Sequence, residues 1–498
     1  MSAGGGLRVA PGERDLARTL ARPEVRRALE AQLPAWLLPR RWFGGQTRQL
    51  TGVRIEGWLP LGDDPDAPAV LCVVAATDAD GATSRHPLFL VAAGDGAIDE
   101  ALEHPAARGL LLELLLRGGT LGGEALRLIG EPAGPPPDLP AGAPSRLIGA
   151  EQSNSSIVYG DRAILKVYRR LESGPNPEVE LGRYLSGEAG FAAVPQVYGS
   201  GRLVGDDGFD AALLILQAFV PNDGDGWAWA LARTGAAFRE CADAAALDRW
   251  LAAHDEVPAA VAELGRTTAR LHAALAAATG DDLRPLPAGA ADLANWGAEV
   301  RQEAQVATAA LARSGRDDEP LRLAIEAAQV FAPPEVEAPG LQTRVHGDYH
   351  LGQVIRARGG DGGWLILDFE GEPARPLPAR RRHQHPLVDV AGMVRSWHYA
   401  ARFASTERPG AGALAAHWEA RLRARFLDAY WAEADAAPVP FLPAARADRA
   451  ALLRLFELGK ALYEVRYELD NRPAMVGIPG EAVERLVTNA ERGARNAE

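Results

Sequence analysis

The run His346-Gly347-Asp348-Tyr349-His350-Leu351-Gly352-Gln353 sets an aspartate five residues ahead of an amide, and Leu365-Ile366-Leu367-Asp368-Phe369-Glu370-Gly371 follows a short Gly-rich turn. A carboxylate can take the proton of an attacking hydroxyl, while an amide oxygen and a second carboxylate can hold a divalent cation against phosphate oxygens. Together these are the parts that phosphoryl transfer from a nucleoside triphosphate requires. On this reading Asp348 is the base, and Gln353 and Asp368 are the ligands of Mg²⁺. Gln353 stands where asparagine is usual, and its longer arm alters the metal geometry.

Lysine usage points to the nucleotide. The chain has two lysines, Lys166 and Lys460, with arginine supplying every other fixed side-chain cation. A composition so biased keeps lysine where a compact, flexible ammonium does what a planar guanidinium cannot, and contact with phosphate is such a place. The segment from Leu147 to Tyr168 reads as strand, polar turn, strand, Asp-Arg turn, strand, and ends in Leu165-Lys166-Val167-Tyr168. That is the order of a loop covering ATP followed by the strand lysine that contacts its phosphates. The loop is Ser/Asn-rich, so Ser153, Asn154 and Ser155 become candidates for phosphate oxygens through tight turns and short donors. Asn176-Pro177 opens a helix that carries Glu178 and Glu180, and Glu180 is the favoured ion-pair partner of Lys166. The apolar strand Ala212 to Pro221 leads to a hinge where adenine would pair with backbone near Gln217 and Phe219.

The elements that must carry these residues divide in three. Residues 1–100 pattern as an N-terminal α+β cap, with a helix from Glu24 to Leu33 and strands such as Val70-Leu71-Cys72-Val73-Val74. Residues 101–221 hold a leucine-rich helix, a Pro/Gly stretch from Glu131 to Pro144 and the nucleotide-binding strands; residues 222–498 are mostly helical, with the catalytic hairpin inserted. The fold class is therefore α+β, with a mostly helical C-terminal lobe after the strand-rich, lysine-bearing one.

Acceptor recognition must come from outside the phosphate machinery. On a helix of about 100° per residue, Leu458, Leu462, Val465 and Leu469 form an apolar stripe, while Lys460, Glu464, Tyr467 and Asn471 gather within about 60° on a polar one. A carboxylate, an amide, a cation and an aromatic ring suit a sugar. His350, beside Asp348, is placed to touch the acceptor or the loop backbone.

Composition narrows the class further. At 498 residues, 47% apolar and 24% charged, the chain is long enough for two or three cores, and its net charge of −13 argues against nucleic acid or an anionic membrane as partner. Cys72 and Cys241 lie far apart without metal-ligand spacing, and free thiols in a reducing cytoplasm are expected. No basic segment leads into an apolar one at the N-terminus, and no uncharged apolar stretch is long enough to span a bilayer. Arg380-Arg381-Arg382-His383-Gln384-His385 reads as a solvated loop, and its two histidines lack companions for zinc.

The residues also resemble a known family. Pro39 to Phe43, Phe219 to Trp229, Val345 to Val354, Asp368 to Pro373, Asp389 to Ser396 and Lys460 to Pro473 together look like actinobacterial maltokinases. The resemblance implies a kinase-like bilobal fold with an N-terminal cap, and transfer of the γ-phosphoryl of ATP to the anomeric hydroxyl of maltose with Mg²⁺. Maltose 1-phosphate would then feed α-glucan synthesis. Association with a trehalose-isomerising synthase follows by family analogy only. Two alternatives stay open: another acceptor such as glucosamine or glucose, and a non-catalytic kinase-like regulator. A regulator would be expected to have lost Asp348, Asp368 or Lys166, and all three are present.

Overall fold

The structure, a computed structural model, describes residues 6–44, 49–62, 69–140, 142–148, 154–359, 363–408 and 410–495. The chain forms two compact units, Met1–Pro221 and Asn222–Glu498.

In the first unit, β1 (Leu7–Arg8) precedes three short helices, α1 (Leu16–Leu20), α2 (Pro23–Glu30) and α3 (Leu33–Leu37). The single helix expected from Glu24 to Leu33 is broken, because Pro34 sits in the first turn of α3 and has no N–H to continue α2. Strands β2 (Leu50–Pro60), β3 (Val70–Asp78), β4 (Thr83–Ala92) and β5 (Ala97–Glu100) complete an antiparallel sheet of order β1-β5-β4-β3-β2. The unbroken apolar run of β3 serves two cores. Val70, Cys72, Val74 and Ala76 face Leu16, Leu33 and Trp36, whereas Leu71 and Val73 face the opposite way. Alternate residues of a strand point to opposite faces, so a strand buried on both sides needs no polar face.

The other side of that sheet packs on α4 (Pro105–Arg117) and on a second antiparallel sheet of β6 (Gly119–Gly122), β7 (Leu126–Pro132), β8 (Ser145–Ile148), β9 (Asn154–Tyr159), β10 (Ala163–Tyr168), β11 (Val197–Gly205) and β12 (Asp210–Ala218). Its order is β6-β7-β11-β12-β10-β9-β8. One hydrophobic cluster joins Leu71 and Phe89 of the cap to Leu111, Leu165 and Leu214. The cap is therefore not a unit in its own right, as the sequence suggested; its core is continuous with that of residues 101–221. Helix α5 (Pro177–Arg183) runs between β10 and β11.

The second unit is helical, built from α6 (Gly226–Glu240), α7 (Ala244–Ala253), α8 (Glu256–Ala276), α9 (Ala290–Ser314), α10 (Glu319–Gln329), a short α11 (Leu377–Arg380), α12 (Leu387–Thr406), α13 (Gly412–Asp435), α14 (Arg446–Asn471) and α15 (Gly477–Arg495). Four short strands, β13 (Asn222–Asp225), β14 (Leu286–Pro287), β15 (Leu341–Gln342) and β16 (Val354–Ala357), are joined by β17 (Trp364–Ile366), which pairs antiparallel with β16. Trp229 packs edge-on against Trp364 and Trp397 at 5.5 and 6.4 Å, a core role for a tryptophan near the strand's end. Cys72 and Cys241 are free and buried. Among the described residues no helix is long and apolar enough to cross a membrane.

Candidate active site

In the first unit the lysine strand and helix α5 meet in one ion pair. Antiparallel pairing sets Lys166 opposite Ser156 and Tyr168 opposite Asn154, so these four share a face of the sheet. Asn176 caps α5 by accepting the N–H groups of Glu178 and Val179 at 2.8 and 3.3 Å, and Pro177 takes the first helical position, where an N–H is not needed. The helix thereby aims Glu178 at the sheet. Oε2 of Glu178 accepts from Nζ of Lys166 at 2.9 Å and from the hydroxyl of Tyr168 at 2.7 Å. With side-chain exposures of 14% and 4%, Lys166 and Glu178 form a buried pair. The expected partner was Glu180. Two residues along a helix is about 200°, so Glu180 points away and lines a separate pocket with Arg183 and Asp210.

The loop and hinge residues are also reassigned. Ser153 lies outside the described residues. Ser155 pairs with Val167 and so faces opposite to Lys166; its hydroxyl accepts from Nε of the buried Arg169 at 2.9 Å, which commits it to packing. Asn154 keeps a place on the Lys166 face. At the end of β12 the N–H of Ala218 is donated to the Gln196 carbonyl at 2.8 Å and that of Phe219 to Arg162 at 3.0 Å. Gln217 sits in the ladder between Ile164 and Val197. The Phe219 N–H expected to meet adenine is thus already used, and the residue offers its ring, with the Arg146 guanidinium 5.9 Å above it.

In the second unit the catalytic loop hangs from α12. Both carboxylate oxygens of Asp389 accept backbone N–H groups, from His346 at 2.8 Å and from Gly347 at 2.9 Å, and Nε2 of His272 stands 3.3 Å from Oδ2. Burial alone would push the Asp389 carboxyl up, but these donors hold it below the ordinary carboxylate value, so it stays ionised. Ser396, two helical turns on, accepts the N–H of Leu351 at 3.0 Å. Between them Gly392 lets the loop touch the helix: a Cβ there would lie 2.5 Å from the Tyr349 carbonyl oxygen. Tyr349 is held in turn by Thr268, hydroxyl to hydroxyl at 2.9 Å.

The hairpin brings the second aspartate to the loop. Pairing of Val354 with Ile366 places Gln353 beside Leu367, whose N–H it accepts at 2.9 Å. Nε2 of His346 bonds the Leu367 carbonyl at 2.8 Å, a structural role next to Asp368. Asp368 itself has φ +64°, a left-handed conformation that costs a non-glycine residue and that the tied loop imposes. Nε2 of Gln353 donates to Oδ2 of Asp368 at 3.1 Å. That bond puts the two side chains in contact, with the amide nitrogen toward the carboxylate; the carboxylate, and the amide oxygen once the amide is turned, are hard donors of the kind Mg²⁺ takes.

Around Asp348 the structure gathers side chains from three segments. Nζ of Lys460, on α14, lies 3.7 Å from Oδ1 of Asp348 and 3.8 Å from Oε2 of Glu372, bridging the two carboxylates. Nε2 of His350 is 3.8 Å from Oδ2 of Asp348, while Nδ1 accepts the Gly352 N–H at 3.0 Å. His350 thus caps the loop backbone and faces Asp348. Burial lowers its pKa, against the pull of Asp348, which keeps the ring neutral near pH 7 with its proton on Nε2. Tyr463 sits one helical turn from Lys460, 4.9 Å from the ammonium to the ring centre; burial, then the Glu372 charge, pushes its phenol well above the ordinary value, so it stays protonated. Lys460 and Tyr463 line a pocket of about 130 Å³ with Trp296, Phe456, Gly347 and Glu372.

Two acceptor residues expected from the polar stripe are placed elsewhere. Glu464 follows Tyr463 by about 100° of helix and turns to α12, where Oε2 meets Nε of the buried Arg395 at 2.8 Å. Tyr467, 44% exposed, stacks on Tyr463 at 6.5 Å at the surface. Sequence reasoning missed Tyr463 and Glu372. Both lie within stretches that carried the family resemblance, and the i,i+3 spacing of Lys460 and Tyr463 was the available signal.

Known proteins share this fold. A model of the phosphotransferase enzyme family matches residues 145–439, and a model of the maltokinase N-terminal cap domain matches residues 36–130. The cap match runs past residue 100 into α4 and β7, the elements that close the shared core. The chain is similar to a glucosamine kinase of Streptacidiphilus jiangxiensis, 33% identical over 290 residues, which are 57% of this chain and 61% of that protein. It is similar also to a glucosamine kinase of Mycolicibacterium smegmatis, 30% identical over 344 residues, 69% of this chain and 79% of the relative. A solved glucosamine kinase superposes with a TM-score of 0.64 at 25% identity, covering 88% of this chain and 94% of the other. Another, in complex with glucosamine, ADP and inorganic phosphate, shares the fold with a TM-score of 0.61 at 24% identity, covering 87% and 93%.

Proposed function

Because the chain belongs to the phosphotransferase enzyme family, in its maltokinase-like branch, we propose that it is an ATP-dependent sugar kinase whose acceptor is maltose, phosphorylated at the anomeric hydroxyl. The observation that carries this reading is the setting of Asp348, a base with Lys460 and neutral His350 on its two oxygens, beside a pocket walled by Trp296, Phe456 and Tyr463. Aromatic faces suit the apolar sides of pyranose rings, and Glu372, Lys460 and Tyr463 offer the acceptor and donors that sugar hydroxyls need. The maltokinase cap model and the Lys460 to Pro473 stretch that resembles maltokinases are what support maltose as the acceptor.

In the proposed reaction Asp348 orients the sugar hydroxyl and takes its proton as the oxygen bonds to the γ-phosphorus of ATP and the bond to the ADP oxygen breaks. Lys166, held by Glu178, contacts the nucleotide phosphates. Gln353 and Asp368 would hold Mg²⁺, which when bound neutralises charge on the phosphate chain. Little covalent work falls to the protein in such a loose transition state, so positioning and charge carry the rate. The second acceptor reading is glucosamine, the sugar named for the similar kinases, with Glu372 as the carboxylate that would meet an ammonium.

Phosphorus NMR of the protein with ATP and Mg²⁺ separates these readings, using parallel tubes of maltose, glucose, glucosamine and buffer and an Asp348→Asn control. An anomeric phosphate resonance with maltose that the control lacks is expected. Product with glucosamine or glucose alone keeps the kinase and removes the maltose assignment; no product in any tube overturns the sugar-kinase reading.

A further inference from the structure

We infer that Lys460 is a specificity-determining residue: its charge, shared between Asp348 and Glu372, makes the acceptor pocket select a neutral sugar over its ammonium analogue. This rests on the sugar-kinase reading above.

The argument is one of charge balance in a small space. Nζ of Lys460 lies 3.7 Å from Asp348 and 3.8 Å from Glu372, nearly equidistant, so one cation serves two carboxylates. The pocket's other charges are matched nearby. Glu299 meets Arg382 at 3.0 Å, and Glu303 meets Arg466 at 3.6 Å. Arg375 also lines the wall, so with Lys460 in place these carboxylates and cations are equal in number. His350 and Tyr463 remain neutral near pH 7. An acceptor that brings its own ammonium therefore meets Lys460 at the one point where anions would otherwise attract it. Without Lys460, Asp348 and Glu372 would leave the pocket net negative and ready for an ammonium. A flexible stem with a compact point charge sits between two carboxylates without the planar geometry that a guanidinium fork imposes, which gives a reason for lysine in a chain that otherwise uses arginine.

The test compares two matched pairs, maltose with its reducing-end 2-amino analogue and glucose with glucosamine. The ratio of kcat/KM, neutral over ammonium, is measured in wild type, K460Q, K460R and E372Q. K460Q is expected to lower the ratio by about tenfold or more, as loss of a like charge at this range implies. K460R should keep the ratio within about threefold, and E372Q should raise it, because it removes a carboxylate instead of a cation. The opposite signs of K460Q and E372Q separate a charge effect from general damage to the fold. A ratio that stays within twofold in both K460Q and E372Q overturns the inference while leaving the sugar kinase intact. Absence of turnover of all four sugars by wild type overturns the sugar-kinase reading, and this one with it.

Discussion

Nζ of Lys166 donates to Oε2 of Glu178 at 2.9 Å, and the Tyr168 hydroxyl donates to the same oxygen. This shared acceptor fixes the lysine against the helix, and it separates two glutamates that the sequence could not. Glu178→Gln is expected to lower kcat/KM for ATP by up to about 100-fold through misplacement of Lys166, whereas Glu180→Gln should stay within about twofold. Steady-state kinetics with ATP varied distinguishes them, and an equal loss in both variants would show that the pair does not position the lysine.

Asp348→Asn removes the proposed base while keeping its shape. Its kcat should fall about 10²- to 10⁴-fold, the range for loss of a general base, with nucleotide affinity by calorimetry little changed. Retention of more than a tenth of wild-type turnover would assign the proton to another group.

Asp368 is strained at φ +64° and accepts an N–H of Gln353 on Oδ2; it is the carboxylate proposed to meet the metal. Calorimetric titration of ADP should show tighter binding with Mg²⁺ than with EDTA in wild type. In Asp368→Asn the two affinities should converge; a persistent Mg²⁺ effect would place the metal elsewhere.

Gly392 brings α12 into contact with the catalytic loop. In Gly392→Ala the new methyl would stand 2.5 Å from the Tyr349 carbonyl, backbone against backbone, and one side must move. A cost of roughly 1–3 kcal/mol in urea unfolding is expected, together with lost turnover, since the displaced backbone precedes His350. Unchanged stability would mean that the loop gives way freely.

His385 opens α12 with its ring buried. Its Nε2 bonds the Pro339 carbonyl at 2.9 Å and Nδ1 accepts the Leu387 N–H at 3.2 Å, so the folded ring is neutral. Burial lowers its pKa to about 4 from 6.5. Between these values the unfolded chain binds more protons than the folded one, so stability is full above about pH 6.5 and falls as pH drops toward 4. The loss amounts to on the order of 3 kcal/mol at completion. Urea midpoints at pH 7 and pH 4.5 should differ more in wild type than in His385→Asn; an equal pH dependence would remove His385 as its source.

Phosphotransfer was legible because its parts are close in sequence. Asp348, Gln353 and Asp368 lie on one loop and the hairpin after it, where register alone sets Gln353 beside Leu367. Residue spacing, strand alternation and lysine scarcity suffice wherever the partners share an element or neighbouring ones.

What the chain by itself determined was thus the phosphotransferase family, the placing of Asp348, Gln353 and Asp368 on one loop and hairpin, and Lys166 on its strand. Tertiary structure alone decided Glu178 over Glu180, Ser155 for packing, the occupied N–H of Phe219, and Tyr463 with Glu372 in place of Glu464 and Tyr467 around the Lys460 ammonium. In each case the choice depends on the direction a side chain leaves its helix or strand relative to a partner far along the chain. About 100° of helical rotation between neighbours, or one step of strand alternation, reverses that direction without altering the composition from which it would be read.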